Sequence, residues 1–307
     1  MRAAILPSVI LLRRTDMAIN APASDLQTSY DHCRRLHRRF DPTYYWATRR
    51  LPDDVRPAVH ALYAFVRTAD EIVDGPARLP QPLAKRAALD AWEAELQRAL
   101  EGEPSHDPVI IALAHAGERH ALPLGELTLY FESMRIDCGP VRMTTYAELE
   151  RYMLGSAGSV GAILAALLDP SAARRDSFVS LALAFQLTNF IRDVRQDYEL
   201  DRIYLPAEDL DHFGVSADEI ERREPSPGFR RLLALQVDRA RALFRESSPA
   251  ADAVHPRVRR GMLMARSVYG AVLDRAERLN FDVLRHRPGL PPWQLAGAVA
   301  HGLRADP

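Results

Sequence analysis

Lysine is almost absent from this chain: of 40 basic side chains only Lys85 is one, and the rest are arginine. A phosphate-binding loop ending in Gly-Lys-Ser/Thr is thereby excluded. Schiff-base catalysis would have to run through Lys85, which sits in the polar stretch Gln81-Pro-Leu-Ala-Lys85-Arg86 and reads as solvated. Cysteine is scarce too: Cys33 and Cys138 lie far apart and no Cys-x-x-Cys occurs. That rules out a disulfide framework or a cysteine-rich zinc site, and it fits a reducing cytoplasm. The ten histidines include no His-Glu-x-x-His. His115 and His120, five apart, would not share a helical face. Net charge is close to zero, with 40 basic against 41 acidic side chains and a pI near 6.8. No global field therefore draws the chain to nucleic acid or to an anionic membrane.

Long apolar runs are missing as well. The longest near the start, Ala3–Leu12, is followed by Arg13 and Arg14, the reverse of a secretory signal. Nothing else reads as the ~18–20 apolar residues of a membrane-spanning helix. Residues 1–22 read as a poorly ordered leader, with Met17 an alternative start, and residues 23–307 as one domain. The location expected is cytoplasmic, with at most a peripheral contact at the inner face of the membrane.

What the chain has in quantity is apolar material with helical spacing. Hydrophobic residues make up 47% of it, ample for a core. After Pro57, residues Val59, Leu62, Tyr63, Val66, Asp70 and Val73 recur at i, i+3, i+4 and i+7. Further helices are predicted over about 83–100, 107–120, 124–136, 144–154, 157–168, 174–199, 228–247, 256–285 and 291–303, with breaks at Gly75-Pro76, Gly102, Asp169-Pro170, Leu205-Pro206 and Glu224–Gly228. Strand-like alternation is missing apart from a weak Arg202–Leu205. The expectation is a single all-α domain.

Two segments carry acidic side chains on otherwise apolar helices. In Tyr63-Ala-Phe-Val-Arg67-Thr-Ala-Asp70-Glu71-Ile-Val-Asp74, both Asp70 and Asp74 point from one face, with Tyr63 and Arg67 continuing the stripe. In Gln186-Leu-Thr-Asn189-Phe-Ile-Arg192-Asp193-Val-Arg-Gln-Asp197, the residues Gln186, Asn189, Asp193 and Asp197 form a second stripe. A solvated acidic face is the plain alternative for the first. It fits the second poorly, because Leu181, Leu183, Phe185, Leu187, Phe190 and Ile191 surround it. Burying carboxylates without a counter-charge is costly. Facing each other, the stripes can hold hard cations through oxygen ligands. Magnesium suits that donor set best, with manganese the alternative. A di-iron site would call for a Glu-x-x-His, which neither stripe has. Arg67, Arg192 and Arg49 beside the carboxylates point to a bound polyanion. Gly155-Ser-Ala-Gly158-Ser-Val-Gly161 follows a helix rather than a strand. It reads mainly as close helix packing or a bend, with widening of a ligand cavity the functional alternative.

Taken together, these segments resemble the squalene/phytoene synthase family of head-to-head isoprenoid synthases, from about Phe40 to Leu295. The likeness rests on Tyr44-Tyr45-Trp-Ala-Thr-Arg49-Arg-Leu-Pro52, on Ala58-Val-His-Ala-Leu-Tyr63-Ala-Phe-Val-Arg67 running into Asp70–Asp74, and on Tyr152 ahead of the glycines. It continues with Gln186–Asp197, Arg202-Ile-Tyr-Leu-Pro206, Tyr269–Asp274 and Phe281–Arg287. The wording is closest to bacterial phytoene synthases. The resemblance implies an isoprenoid-synthase fold, with helices around a central apolar cavity. It implies magnesium on Asp70, Asp74, Asn189, Asp193 and Asp197. Arg67, Arg192, Tyr269, Tyr63 and, less securely, Arg287 would contact diphosphate, and Tyr152 and Gln186 would line the reacting zone. The implied substrates are prenyl diphosphates. Two geranylgeranyl diphosphates would give phytoene; farnesyl diphosphate would lead to squalene, dehydrosqualene or presqualene diphosphate, with NADPH needed only for squalene. A terpene cyclase, which favours a different second stripe, and a non-catalytic helical relative, which should have lost its acidic ligands, fit less well. Glu71, Asp41 and Tyr44 depart from the residues usual in the family, as do His286 and Gly289. The segment Pro292–Ala300 is a candidate membrane contact, with core packing the competing reading.

Overall fold

The computed structural model describes residues 23–41, 44–45, 48–49, 51–75, 81–169, 173–252 and 254–304. The leader over 1–22, the Trp46-Ala47 and Arg50 part of the aromatic motif, and the breaks at Pro76 and Pro170 lie outside them. The chain is built of helices: α1 (Ala23–Phe40), α2 (Arg56–Asp74), α3 (Pro82–Leu100), α4 (Pro108–His120), α5 (Leu127–Ile136), α6 (Tyr146–Met153), α7 (Ser159–Leu168), α8 (Arg175–Glu199), α9 (Ala207–Phe213), α10 (Ala217–Arg222), α11 (Pro227–Glu246), α12 (Pro256–Arg278) and α13 (Pro292–Arg304).

Local sequence explains where several of them begin. Proline stands in the first turn of α2, α4, α11 and α12, where its missing N–H costs no helical hydrogen bond. Side chains of Asp107, Thr145 and Ser226 accept backbone N–H bonds at the starts of α4, α6 and α11. The weak strand signal after α8 is a real but minimal feature. Arg202–Ile203 pairs in parallel with Val141–Arg142, the only ladder among the described residues.

Three expectations need correction. The helix predicted over 256–285 stops at Arg278, because Asn280 and Phe281 adopt left-handed backbone (φ 50° and 58°) and reverse the chain. The short α9 and α10 fall outside the predicted helices, because they hold too few residues to show a helical repeat. The stretches predicted as separate helices around Gly155–Gly161 are joined by one π-helical turn, Leu154–Gly158, into a continuous helical run, Tyr146–Leu168. By length and composition that run could cross a membrane, but over half of its most apolar 18-residue stretch is buried inside the protein.

The glycines here serve close packing. A Cβ on Gly155 would collide with the Leu129 carbonyl and the Ser133 hydroxyl of α5. One on Gly161 would stand 2.9 Å from the Phe178 carbonyl oxygen of α8. Small residues thus let this helix approach both neighbours at backbone distance.

The apolar core divides into two main clusters. One gathers Val59, Leu62 and Phe65 of α2 with α3, α4, α5 and the end of α7. The other gathers Leu187, Phe190 and Ile191 of α8 with α6, α11 and α12. The two acidic helices therefore belong to different clusters, and their polar stripes lie along the seam between them.

Candidate active site

On α2, the buried residues from Ala58 to Val73 anchor one face in the first cluster, which fixes the polar stripe toward the seam. Tyr63 stacks on His37 at 3.9 Å between ring centroids. Burial lifts its hydroxyl to about 12, with Asp41 adding to the effect. Arg67 pairs with Glu71, and its guanidinium lies 4.4 Å from the centre of the Phe40 ring. Asp70 has no arginine directly on its carboxylate among the described residues; the Tyr130 hydroxyl approaches at 3.4 Å while also bonding the Val66 carbonyl. Burial above all, and then repulsion from Asp74, pushes Asp70 from 3.8 up to about 7, with Arg67 opposing.

Asp74 is held differently. Arg202 grips both of its oxygens, at 2.7 and 2.8 Å, and donates a third bond to the Asp137 carbonyl at 2.6 Å. Arg202 is itself buried. The Asp137 carboxylate accepts from the hydroxyls of Tyr152 (2.5 Å) and Tyr204 (2.7 Å), and burial raises its pKa. Tyr204 in turn stacks on Phe190 at 4.0 Å. A continuous polar chain thus runs from the first stripe through Arg202 and Asp137 to Tyr152.

On α8, Asn189 and Gln186 are half-buried one turn apart. The side-chain oxygen of Asn189 is buried without a hydrogen-bond partner, while its amide bonds the Tyr269 hydroxyl. Tyr269 reaches this point from α12, packed on Phe185 at 4.2 Å. Asp193 is clamped by two guanidiniums: Arg192 at 2.6 Å and Arg287 at 2.7 Å. The left-handed reversal at Asn280 and Phe281 lies between α12 and Arg287, returning the chain to α8. Asp197, one turn on, is lifted from 3.8 to about 7, by burial first and then by Asp193.

The two stripes act on a common region, since the charge of Asp137 raises both Asp70 and Asp197. Among the described residues no three Asp, Glu, His or Cys side chains converge as a ready-made cation cage. Arg202 occupies Asp74, and Arg192 and Arg287 occupy Asp193. The donor set still suits a hard cation. An orphaned amide oxygen at Asn189, with Asp70 and Asp197 destabilised as anions, is an arrangement that added positive charge would satisfy.

Sequence reading missed Tyr130, Asp137 and Tyr204 as participants, and it gave Arg202 only as a motif landmark. Asp137 follows the end of α5 with no spaced acidic partner, so no periodicity could single it out.

The sequence profile of the squalene/phytoene synthases matches residues 37–294, which takes in every site residue above. The chain belongs to the squalene/phytoene synthase family. A phytoene synthase of Thermus thermophilus is 35% identical over 276 residues, covering 90% of this chain and 92% of the relative. Among solved structures, a dehydrosqualene synthase superposes with a TM-score of 0.81 at 25% identity, over 93% of this chain and 99% of the other. The squalene synthase HpnC of Alicyclobacillus acidocaldarius does so at 0.76 and 32% identity, over 86% and 98%. This squalene/phytoene synthase family member is accordingly an all-α isoprenoid synthase and a prenyltransferase-type enzyme. Its family uses prenyl diphosphates and generally needs a divalent metal.

Proposed function

We propose that this enzyme condenses two molecules of geranylgeranyl diphosphate head to head, through a cyclopropyl diphosphate, into phytoene with release of diphosphate. The observation that carries this reading is the pair of carboxylate stripes on α2 and α8, facing one seam, with Asp74 of one held by Arg202 and Asp193 of the other by Arg192 and Arg287. Similarity to phytoene synthases over most of the chain supports the substrate.

Asp70, Asp74, Asn189, Asp193 and Asp197 would hold magnesium, which when bound supplies positive charge to the leaving diphosphate. Arg67, Arg192, Arg287 and Tyr269 supply directed donors to the same oxygens, where negative charge grows as the C–O bond breaks. Asp70 and Asp197 would serve as anions, so their raised pKa values make cation loading weaken as pH falls. Asp137 fixes the Tyr152 hydroxyl, which leaves the ring, 6.0 Å from that of Phe190, to face an allylic cation with its π surface. An apolar, water-poor surrounding lets the second prenyl chain trap that cation before water does. Loss of a proton completes phytoene.

The 32% identical squalene synthase favours one other reading, a farnesyl diphosphate substrate. Incubation with magnesium and each diphosphate, with and without NADPH, separates the two by product. Phytoene from geranylgeranyl diphosphate without NADPH is expected; squalene, dehydrosqualene or presqualene diphosphate from farnesyl diphosphate alone would overturn it. A hydrocarbon product must enter lipid, and we place the enzyme in the cytoplasm with a peripheral membrane contact at Trp293, which is 73% exposed. The core-packing reading of the same helix fits Ala298 and Gly302, which are buried.

A further inference from the structure

A cavity of about 400 Å³ lies between α11, α12 and α13. None of its lining residues belongs to the two stripes or to their partners. Its volume falls in the range of small-molecule sites, about 300–1,000 Å³. Its walls are of two kinds. Phe244, Leu263 and Leu273 supply apolar surface, and Arg241, Arg245, Arg266, Asp274 and His301 supply charged or polar groups.

The charges there are unevenly matched. Arg241 is paired with two carboxylates, Asp274 and Glu277, and so is more than neutralised. Arg245 has no ion pair among the described residues. Arg266 bonds only neutral oxygens: the Phe244 carbonyl at 2.7 Å, the Ser248 hydroxyl at 3.3 Å and the Ser247 hydroxyl. Burial lowers its pKa, and no acidic neighbour opposes that. A half-buried guanidinium facing only neutral acceptors is short of a counter-charge, and its remaining N–H donors can still be used.

We propose that this cavity is a binding site for an amphiphilic phosphate, with the anionic head between Arg245 and Arg266 and an alkyl or prenyl tail on Phe244, Leu263 and Leu273. Arg241 with Asp274 and Glu277 sums to one negative charge, so with Arg245 and Arg266 the local balance is one positive charge, which a phosphate monoanion matches. The apolar wall distinguishes this ligand from free phosphate. Guanidinium forks suit phosphate oxygens, which they can meet with paired N–H bonds. The head could come from a soluble phosphate ester or from a bilayer phospholipid, and the test separates these sources.

Dodecyl phosphate, below its micellar concentration, is titrated calorimetrically into the full chain. Binding is expected to weaken by about tenfold or more in Arg266→Gln and in Arg245→Gln, and to be unchanged in Asp193→Asn. Arg245 is exposed, so its replacement tests the site even if Arg266→Gln fails to fold. Inorganic phosphate should bind at least about tenfold more weakly than dodecyl phosphate. No binding to the unaltered chain, equal binding in Arg245→Gln, loss in Asp193→Asn, or phosphate alone binding as well would each overturn the proposal. Flotation with phosphatidylglycerol against phosphatidylcholine vesicles then identifies the source. Arg245-dependent capture assigns the head to a bilayer lipid, and calorimetric binding without capture assigns it to a soluble ester. Both results uphold the site.

Discussion

Replacing Asp70 with asparagine should raise stability and abolish most turnover, and the structure sets both magnitudes. Asp70 is lifted from 3.8 to about 7, so at pH 8 the folded chain carries an ionised carboxyl that its surroundings disfavour. A shift of that size costs the folded state at most about 4 kcal/mol at pH 8. Asparagine removes the charge but keeps an acceptor for the Tyr130 hydroxyl. Its amide donors need partners, and an unmet one costs about 1–3 kcal/mol. The net gain is therefore about 1–2 kcal/mol, or roughly 1.5–3 °C in Tm for a chain of this size. The sign depends on pH. Between the unfolded value near 4 and the folded value of about 7, the folded chain holds a proton that the unfolded chain has released, so stability falls as pH rises through that window. At pH 5 Asp70 is already neutral when folded, and the gain should vanish. Turnover should drop by about two orders of magnitude or more, about 3 kcal/mol, because the lost ligand acts mainly on charge developing in the transition state. Asp193→Asn makes the contrast: it should lose as much turnover but lower Tm, since it strips a counter-charge from Arg192 and Arg287. Thermal melts at pH 5 and pH 8 and product formation on both variants give the answer. An Asp70→Asn protein that melts lower at pH 8 and keeps near-normal turnover would refute the reasoning.

Gly155→Ala should cost about 2–3 kcal/mol in urea unfolding, because its Cβ meets the α5 backbone; Gly125→Ala, with nothing within 4 Å, is the matched control and should be near neutral. Arg202→Gln should cost about 2–3 kcal/mol by the same measurement, less than for a fully buried pair because the Asp74 side chain is 41% exposed. Trp293→Ser should reduce co-sedimentation with liposomes while leaving the circular dichroism spectrum intact; unchanged sedimentation would end the anchoring role.

The helices were legible because each buries one face, and that burial imposes a 3.6-residue repeat on the sequence. The two acidic stripes were legible for the same reason: Asp70 with Asp74, and Asn189 with Asp193 and Asp197, each stand on a single helix. What could not be read was anything assembled across elements. Arg202 reaches Asp74 from a two-residue strand, and Arg287 reaches Asp193 only after a left-handed reversal. Tyr130 and Asp137, at and just beyond α5, meet partners 60 and 67 residues away. Such contacts leave no spacing in the chain. The overrun of α12 has a local cause, since the stop is made by backbone conformation at Asn280 and Phe281 and not by glycine or proline. In the glycine cluster, Gly155 and Gly161 permit close approach to the neighbouring helices, Gly155 within the π-helical turn and Gly161 beyond it.

The central claim is that both stripes hold cations together with the diphosphate of the substrate. Calorimetric titration of magnesium, with and without an unreactive thiolo analogue of geranylgeranyl diphosphate, tests it at pH 6 and pH 8. Appreciable binding is expected only with the analogue present, tighter by about tenfold at pH 8 because protons on Asp70 and Asp197 compete near pH 7, and lost in Asp70→Asn and Asp193→Asn. Tight magnesium binding without the analogue, or the same binding in both variants, would contradict it.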